Sequence, residues 1–257
     1  MLSLVVSFLV ACLAVLVLSR FISRSLMELL GQRWYVWLLW PGVCLHEFSH
    51  LLGALITWTP VKGVSLWPKP SAGKKVELGS VTHEATANPF KLIVISFFPL
   101  VGGTLILWLG TRWLTTIEPT AVPSFSLIDG SLDSAVTYLD KWWNFMLVAG
   151  QSLNLGQWSG WLFLYMVLFS GAHLAPSNHD LVYTAAGVTI MGLVAVILSV
   201  IDWLANQNLI MKLANLAVSI LQGLVPFLSY VLAWLFMVAV IVGVLALGKR
   251  LNQRATW

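Results

Sequence analysis

The sequence predicts an all-α polytopic membrane protein of about six transmembrane helices, with one small β-hairpin after the second. Three observations carry that reading. The first is composition: of 257 residues, 59% are hydrophobic and 9% charged, and the mean hydropathy is +0.88. Soluble domains carry about 25% charged residues, so this chain is built for lipid. The second is pattern: the apolar runs are long and lack period-2 alternation, which favours helices over a barrel once the backbone must satisfy itself in lipid. The third is the placing of tryptophan at the ends of those runs (Trp34, Trp58, Trp113, Trp158, Trp203), as interfacial belts require. The net charge of +4 is spread over loops. No basic stripe appears, so nucleic-acid binding is not expected.

Met1 to Ser19 is uncharged and long enough to span, without the basic start of a signal peptide. Arg20, Arg24 and Arg33 flank a short connection to a second span, from about Trp34 to Trp58. Pro41 and Gly42 would open that helix locally and admit water. Val61 to Trp67 and Lys75 to Thr82 are rich in β-branched residues and separated by prolines and glycine, which reads as a strand pair at the membrane surface. Leu92 to Gly110 is a third span whose Gly102-Gly103 pair would admit a close neighbour.

Thr111 to Lys141 reads as an acid-biased loop, and Trp142 to Gln157 as an interfacial or re-entrant segment. Trp158 to Pro176 is the fourth span and Leu181 to Leu204 the fifth. The uncharged run from Leu213 to Gly248 is too long for one crossing at 1.5 Å per residue, so a break is expected at Gly223 and Pro226. The whole chain, 1–257, forms one membrane domain, with a core at about 34–204 and accessory helices at 1–33 and 205–257. The positive-inside rule puts the lysine-bearing loop 59–91 and the basic C-terminus together on the cytoplasmic side of a cell membrane, although Arg20, Arg24 and Arg33 argue the other way. Cys12 and Cys44 lie in apolar runs, and no disulfide is expected.

The second span carries His46-Glu47-Phe48-Ser49-His50. In a helix, i and i+4 share a face, so the two imidazoles can hold one metal ion while Glu47 stands beside them as a general base. A chance match to H-E-x-x-H turns up in roughly one chain per hundred. Its setting in an apolar span raises it above chance, because ionisable groups at membrane depth are functional by default. A catalytic zinc takes three protein ligands and an open position. The candidates for the third are Asp180, His179, His173 and His83. Asp180 is favoured: it sits between two apolar runs beside Pro176, and two histidines with one carboxylate is a standard zinc set. Helix capping is the competing explanation for Asp180, a bond to a neighbouring carbonyl for His173, and a solvated surface for His83.

HEFSH within a span, followed by His173-Leu-Ala-Pro176-Ser-Asn-His-Asp180, resembles the site-2 protease family of intramembrane zinc metalloproteases. The resemblance extends over Trp34 to Asp180. It implies a zinc cofactor on His46, His50 and Asp180, Glu47 as the catalytic base, a substrate-positioning role for His173, and a transmembrane protein as substrate in the lipid bilayer. The second motif departs from the family pattern: His173 replaces Asn, and Asp180 comes one residue early and precedes Leu181 rather than Gly. A membrane metal transporter, or a family member acting only as a binding partner, is the alternative function.

Overall fold

The computed structural model describes residues 2–67, 69–70, 76–77, 79–84, 88–117, 132–174, 177, 180–182 and 209–255. These form helix α1 (Leu2–Ile56), strands β1 (Val61–Ser65), β2 (Lys69–Pro70), β3 (Val76–Glu77) and β4 (Ser80–His83), then helices α2 (Pro89–Leu114), α3 (Leu132–Ser152), α4 (Trp158–His173) and α5 (Leu209–Ala255). The protein is mostly helical, as its composition requires. Three helices among the described residues are long and apolar enough to cross a membrane: Phe8–Ile56, Pro89–Leu114 and Val218–Gln253.

A straight α1 of 55 residues would reach roughly 80 Å, far beyond a bilayer core of about 30 Å. Gly31 divides it, at φ 75 and ψ 159, a backbone setting that glycine adopts without a Cβ penalty. The chain doubles back there. The Ser23 and Tyr35 hydroxyls hydrogen-bond at 2.7 Å, whereas a continuous helix would hold them about 18 Å apart. α1 is therefore two antiparallel arms, and the connection expected at residues 20–33 is helical up to the bend. Nothing from Arg20 to Leu30 opposes helix, and long basic side chains can reach outward from an apolar surface.

α5 runs parallel to the first arm. Gly243 lies against the Phe21 ring, and further along Lys249 Nζ donates to the Glu28 carbonyl at 2.7 Å while Arg250 Nε donates to the Glu28 carboxylate at 2.6 Å. The basic C-terminal end thus shares the Gly31 bend with Arg24 and Arg33. The second arm carries the chain away from that bend toward Trp58, so the C-terminus does not group with the start of the 59–91 loop as expected. α5 is also helical straight through Gly223 and Pro226, the proline removing one helix bond without ending the helix.

The other spans are shorter or displaced. α4 has 16 residues, about 24 Å of helix, less than a bilayer core. The fifth predicted span lies outside the described residues, apart from helical residues 180–182. α3 begins at Leu132 and absorbs the end of the predicted loop. Its buried Tyr138, Phe145 and Ala149, with Trp142 packed edge-on against Phe236 at 4.9 Å, recur at 3–4 spacing. That is the stripe of an amphipathic helix.

β1 and β4 pair antiparallel, with Val64 opposite Val81 and Ser65 opposite Ser80, and a bulge lies between Val61 and Gly63. β2 and β3 pair antiparallel as a second two-stranded sheet, with Lys69 opposite Glu77 and Pro70 opposite Val76. The predicted hairpin is present, but it folds back along α1. Trp40 Nε1 and Cys44 Sγ both donate to the Leu66 carbonyl, at 3.1 and 3.4 Å, and Trp40 stacks on Trp67 at 4.2 Å. On the other side, α2 starts at an Asn88 cap whose side chain accepts from the Phe90 and Lys91 amides. Its Gly102 has no room for a Cβ against Ser49 Oγ, nor Gly103 against Leu174. The small pair therefore does what its position predicts: α2 lies against the HEFSH helix. Cys12 and Cys44 are free thiols.

Candidate metal centre

The site is built on the second arm of α1, between α2, the end of α4 and the hairpin. The helix is unbroken at Pro41 and Gly42, contrary to the local opening expected there. A Cβ on Gly42 would meet the Phe169 carbonyl and His173 Nδ1, so this glycine exists for close approach of α4. Tyr165 of α4 also donates its hydroxyl to the Leu38 carbonyl at 2.6 Å.

One turn on, His46 and His50 bring their Nε2 atoms to 3.1 Å of each other. His46 Nδ1 donates to the His173 carbonyl at 2.7 Å, and His50 Nδ1 to the Ile95 carbonyl at 2.9 Å. Carbonyls only accept, so each Nδ1 carries the hydrogen and each neutral ring turns a bare Nε2 lone pair inward. Asp180 closes the triangle: Oδ1 lies 3.4 Å from His50 Nε2 and Oδ2 lies 3.7 Å from His46 Nε2. These three residues form the group among the described residues that could hold a metal ion. Taking one ligand atom from each residue, the three lie within 4.8 Å of one another, and two imidazoles with one carboxylate are a donor set that zinc accepts.

The local sequence explains why these acceptors are available. α4 ends at His173, and the amide of Ser177, which a continuing helix would direct to the His173 carbonyl, donates instead to Asp180 Oδ2 at 2.8 Å. The Asp180 amide donates in return to Ser177 Oγ at 3.1 Å. Ser177 and Asp180 are thus a reciprocal capping pair at a helix start. Asp180 is therefore not itself the helix cap: Ser177 takes that position, and the Asp180 carboxylate accepts from the Ser177 amide while facing both histidines. Ser177-x-x-Asp180 is a capping signature that was legible in the sequence and missed.

Two cavities adjoin the centre. One, of about 280 Å³, is lined by Ser23, Tyr35, Glu47, Gly79, His173 and Ser177 among others. The second, of about 250 Å³, touches His50, Thr82, His83, Ser96 and Asp180. Glu47 opens into the first cavity, with Gly79 of the hairpin so close that a Cβ there would meet its Cγ at 2.9 Å. The hairpin therefore forms a wall of both cavities.

His173 contributes twice. Its backbone carbonyl holds His46, and its ring faces the Glu47 cavity. Nδ1 bonds the Phe169 carbonyl at 3.1 Å, which is the neighbouring-carbonyl contact expected of a non-ligand histidine. Nε2 is buried and has no hydrogen-bond partner among the described residues. His83 turns Nδ1 to the Glu84 carbonyl at 2.9 Å and stands outside the ligand group. His179 lies outside the described residues, as does Pro176.

No protein-family model matches the chain, and comparison with curated proteins and with solved structures finds no match. The functional reading rests on the residues themselves.

Proposed function

We propose that the chain is an intramembrane zinc metalloprotease, a multi-pass protein of the cell membrane that hydrolyses peptide bonds in or near transmembrane segments. The observation that carries this is the trio of His46, His50 and Asp180, whose ligand atoms lie within 4.8 Å of one another, with Glu47 next to them in sequence. A zinc ion held by those three residues would acidify a water and polarise the scissile carbonyl.

The chain's own residues do the rest. Glu47 accepts a proton from the attacking water and returns it to the leaving amine. Its side chain lines a cavity walled by the hairpin and by His173. The neutral Nε2 of His173 is an acceptor for a substrate N–H once the peptide is unwound. A peptide bond inside a helix is already hydrogen-bonded, and β4 offers a strand beside the site against which an opened substrate can be held extended. A metal transporter accounts for the trio but gives no role to a carboxylate at Glu47.

Glu47→Gln tests the reading. The variant keeps its zinc and loses about 10²- to 10⁴-fold in cleavage of a co-expressed single-span substrate, the usual worth of a positioned base. Cleavage at the wild-type rate would refute the role given to Glu47.

A further inference from the structure

Proline has no amide hydrogen, so the helix bond that residue 99 would donate to the Ile95 carbonyl is missing. α2 nevertheless runs unbroken from Pro89 to Leu114 with Pro99 inside it. One carbonyl in the body of α2 is therefore left without its helix donor, and it is the carbonyl that accepts His50 Nδ1–H at 2.9 Å. Ile95 and Ser96 are both buried, where an unpaired carbonyl is costly and the histidine is what satisfies it. The close approach is prepared on the other helix: a Cβ on Gly53, one turn past His50, would meet Ile95 Cα at 3.0 Å.

The same device serves the other ligand. His46 is held by the His173 carbonyl, which loses its helix donor because the Ser177 amide turns to Asp180. Both ligand imidazoles are thus oriented by main-chain carbonyls that interruptions of the helix pattern leave open.

We propose that Pro99 is a positioning residue of the metal centre. By withholding an amide hydrogen it reserves the Ile95 carbonyl for His50 Nδ1, which fixes the ring direction and keeps Nε2 bare toward the metal. Partners that orient a ligand histidine in this way typically change metal affinity 10- to 100-fold when removed. This inference rests on the metal-centre reading and is independent of hydrolysis.

Pro99→Ala and Pro99→Gly both restore the missing N–H but shift helix stability in different degrees, alanine favouring the helix and glycine weakening it. Zinc affinity, read by competition with a chelator on the purified full chain, is expected to fall about 10-fold or more in both. The thermal midpoint of the zinc-stripped alanine variant is expected to equal or exceed that of wild type. Pro89→Ala, at the first turn of α2 where no interior carbonyl is freed, is expected to bind zinc as wild type does. Zinc affinity within twofold of wild type in both Pro99 variants would overturn the proposal. So would a loss that follows the thermal midpoint, falling in the glycine variant alone. Wild-type protein that binds no zinc would overturn the metal centre itself.

Discussion

The Nε2 atoms of His46 and His50 face each other at 3.1 Å, and neither carries a hydrogen while its ring is neutral, because both Nδ1 atoms donate to backbone carbonyls. Two lone pairs at that distance repel, and the Asp180 carboxylate beside them adds a third acceptor. A cation at the centre would resolve the arrangement, and the ring orientations that favour it are fixed by backbone carbonyls of α2 and α4. Such preorganisation is expected of a site that must hold its ligands to a fixed geometry.

The contact at Gly42 is where packing and site chemistry meet. Gly42→Ala forces its Cβ into the Phe169 carbonyl and His173, and overpacking of this kind costs about 1–3 kcal/mol. The α4 backbone that holds His46 must move with it. Thermal unfolding and zinc competition are both expected to register the change, with the midpoint lowered and zinc affinity reduced about 10-fold. A variant with wild-type zinc affinity would show that the His173 carbonyl does not hold the ligand.

The hairpin is fastened by Trp40, through its stack on Trp67 and its bond to the Leu66 carbonyl. Trp40→Ala removes both, while the ligands themselves are untouched. Zinc content is expected to stay at the wild-type level, cleavage of the substrate to fall, and protease cutting within residues 61–84 to rise. Unimpaired cleavage with a loosened hairpin would remove the strand pair from the mechanism.

Two glycines should respond with opposite signs. At Gly31 a Cβ meets nothing within 4 Å, yet φ of 75 with ψ of 159 is a glycine-only setting where an L side chain costs about 1–3 kcal/mol. Gly248 lies inside α5, and a Cβ there also meets nothing within 4 Å. Gly31→Ala is expected to lower the unfolding midpoint, and Gly248→Ala to raise it through a helix gain of about 0.5–1 kcal/mol. A stabilised Gly31→Ala variant would contradict the bend.

Sequence reasoning reached the apolar helices, the hairpin and the three ligand candidates because each leaves a local mark: run length, β-branched clusters, an i, i+4 histidine pair and an acid where packing does not want one. What it missed is set between segments. Arg20, Arg24 and Arg33 look like the flanks of a connection, yet the chain from Arg20 continues a helix until Gly31, since only a backbone with positive φ turns the chain there. The charges at Asp133, Asp140 and Lys141 suggested a loop and hid the 3–4 stripe of Tyr138, Phe145 and Ala149. Gly223 and Pro226 suggested a break, yet α5 runs helical through both. Which carbonyl meets which imidazole depends on how closely α2 and α4 approach α1, and no single stretch of sequence states that distance.

The most direct test of the metal centre is zinc content per chain, measured on purified wild type and on Asp180→Ala after equal dialysis against a weak chelator. The predicted result is about one zinc ion per wild-type chain and its loss from the variant, which retains two of the three protein ligands a catalytic zinc takes. Full zinc retention by Asp180→Ala, or none in wild type, would contradict the account.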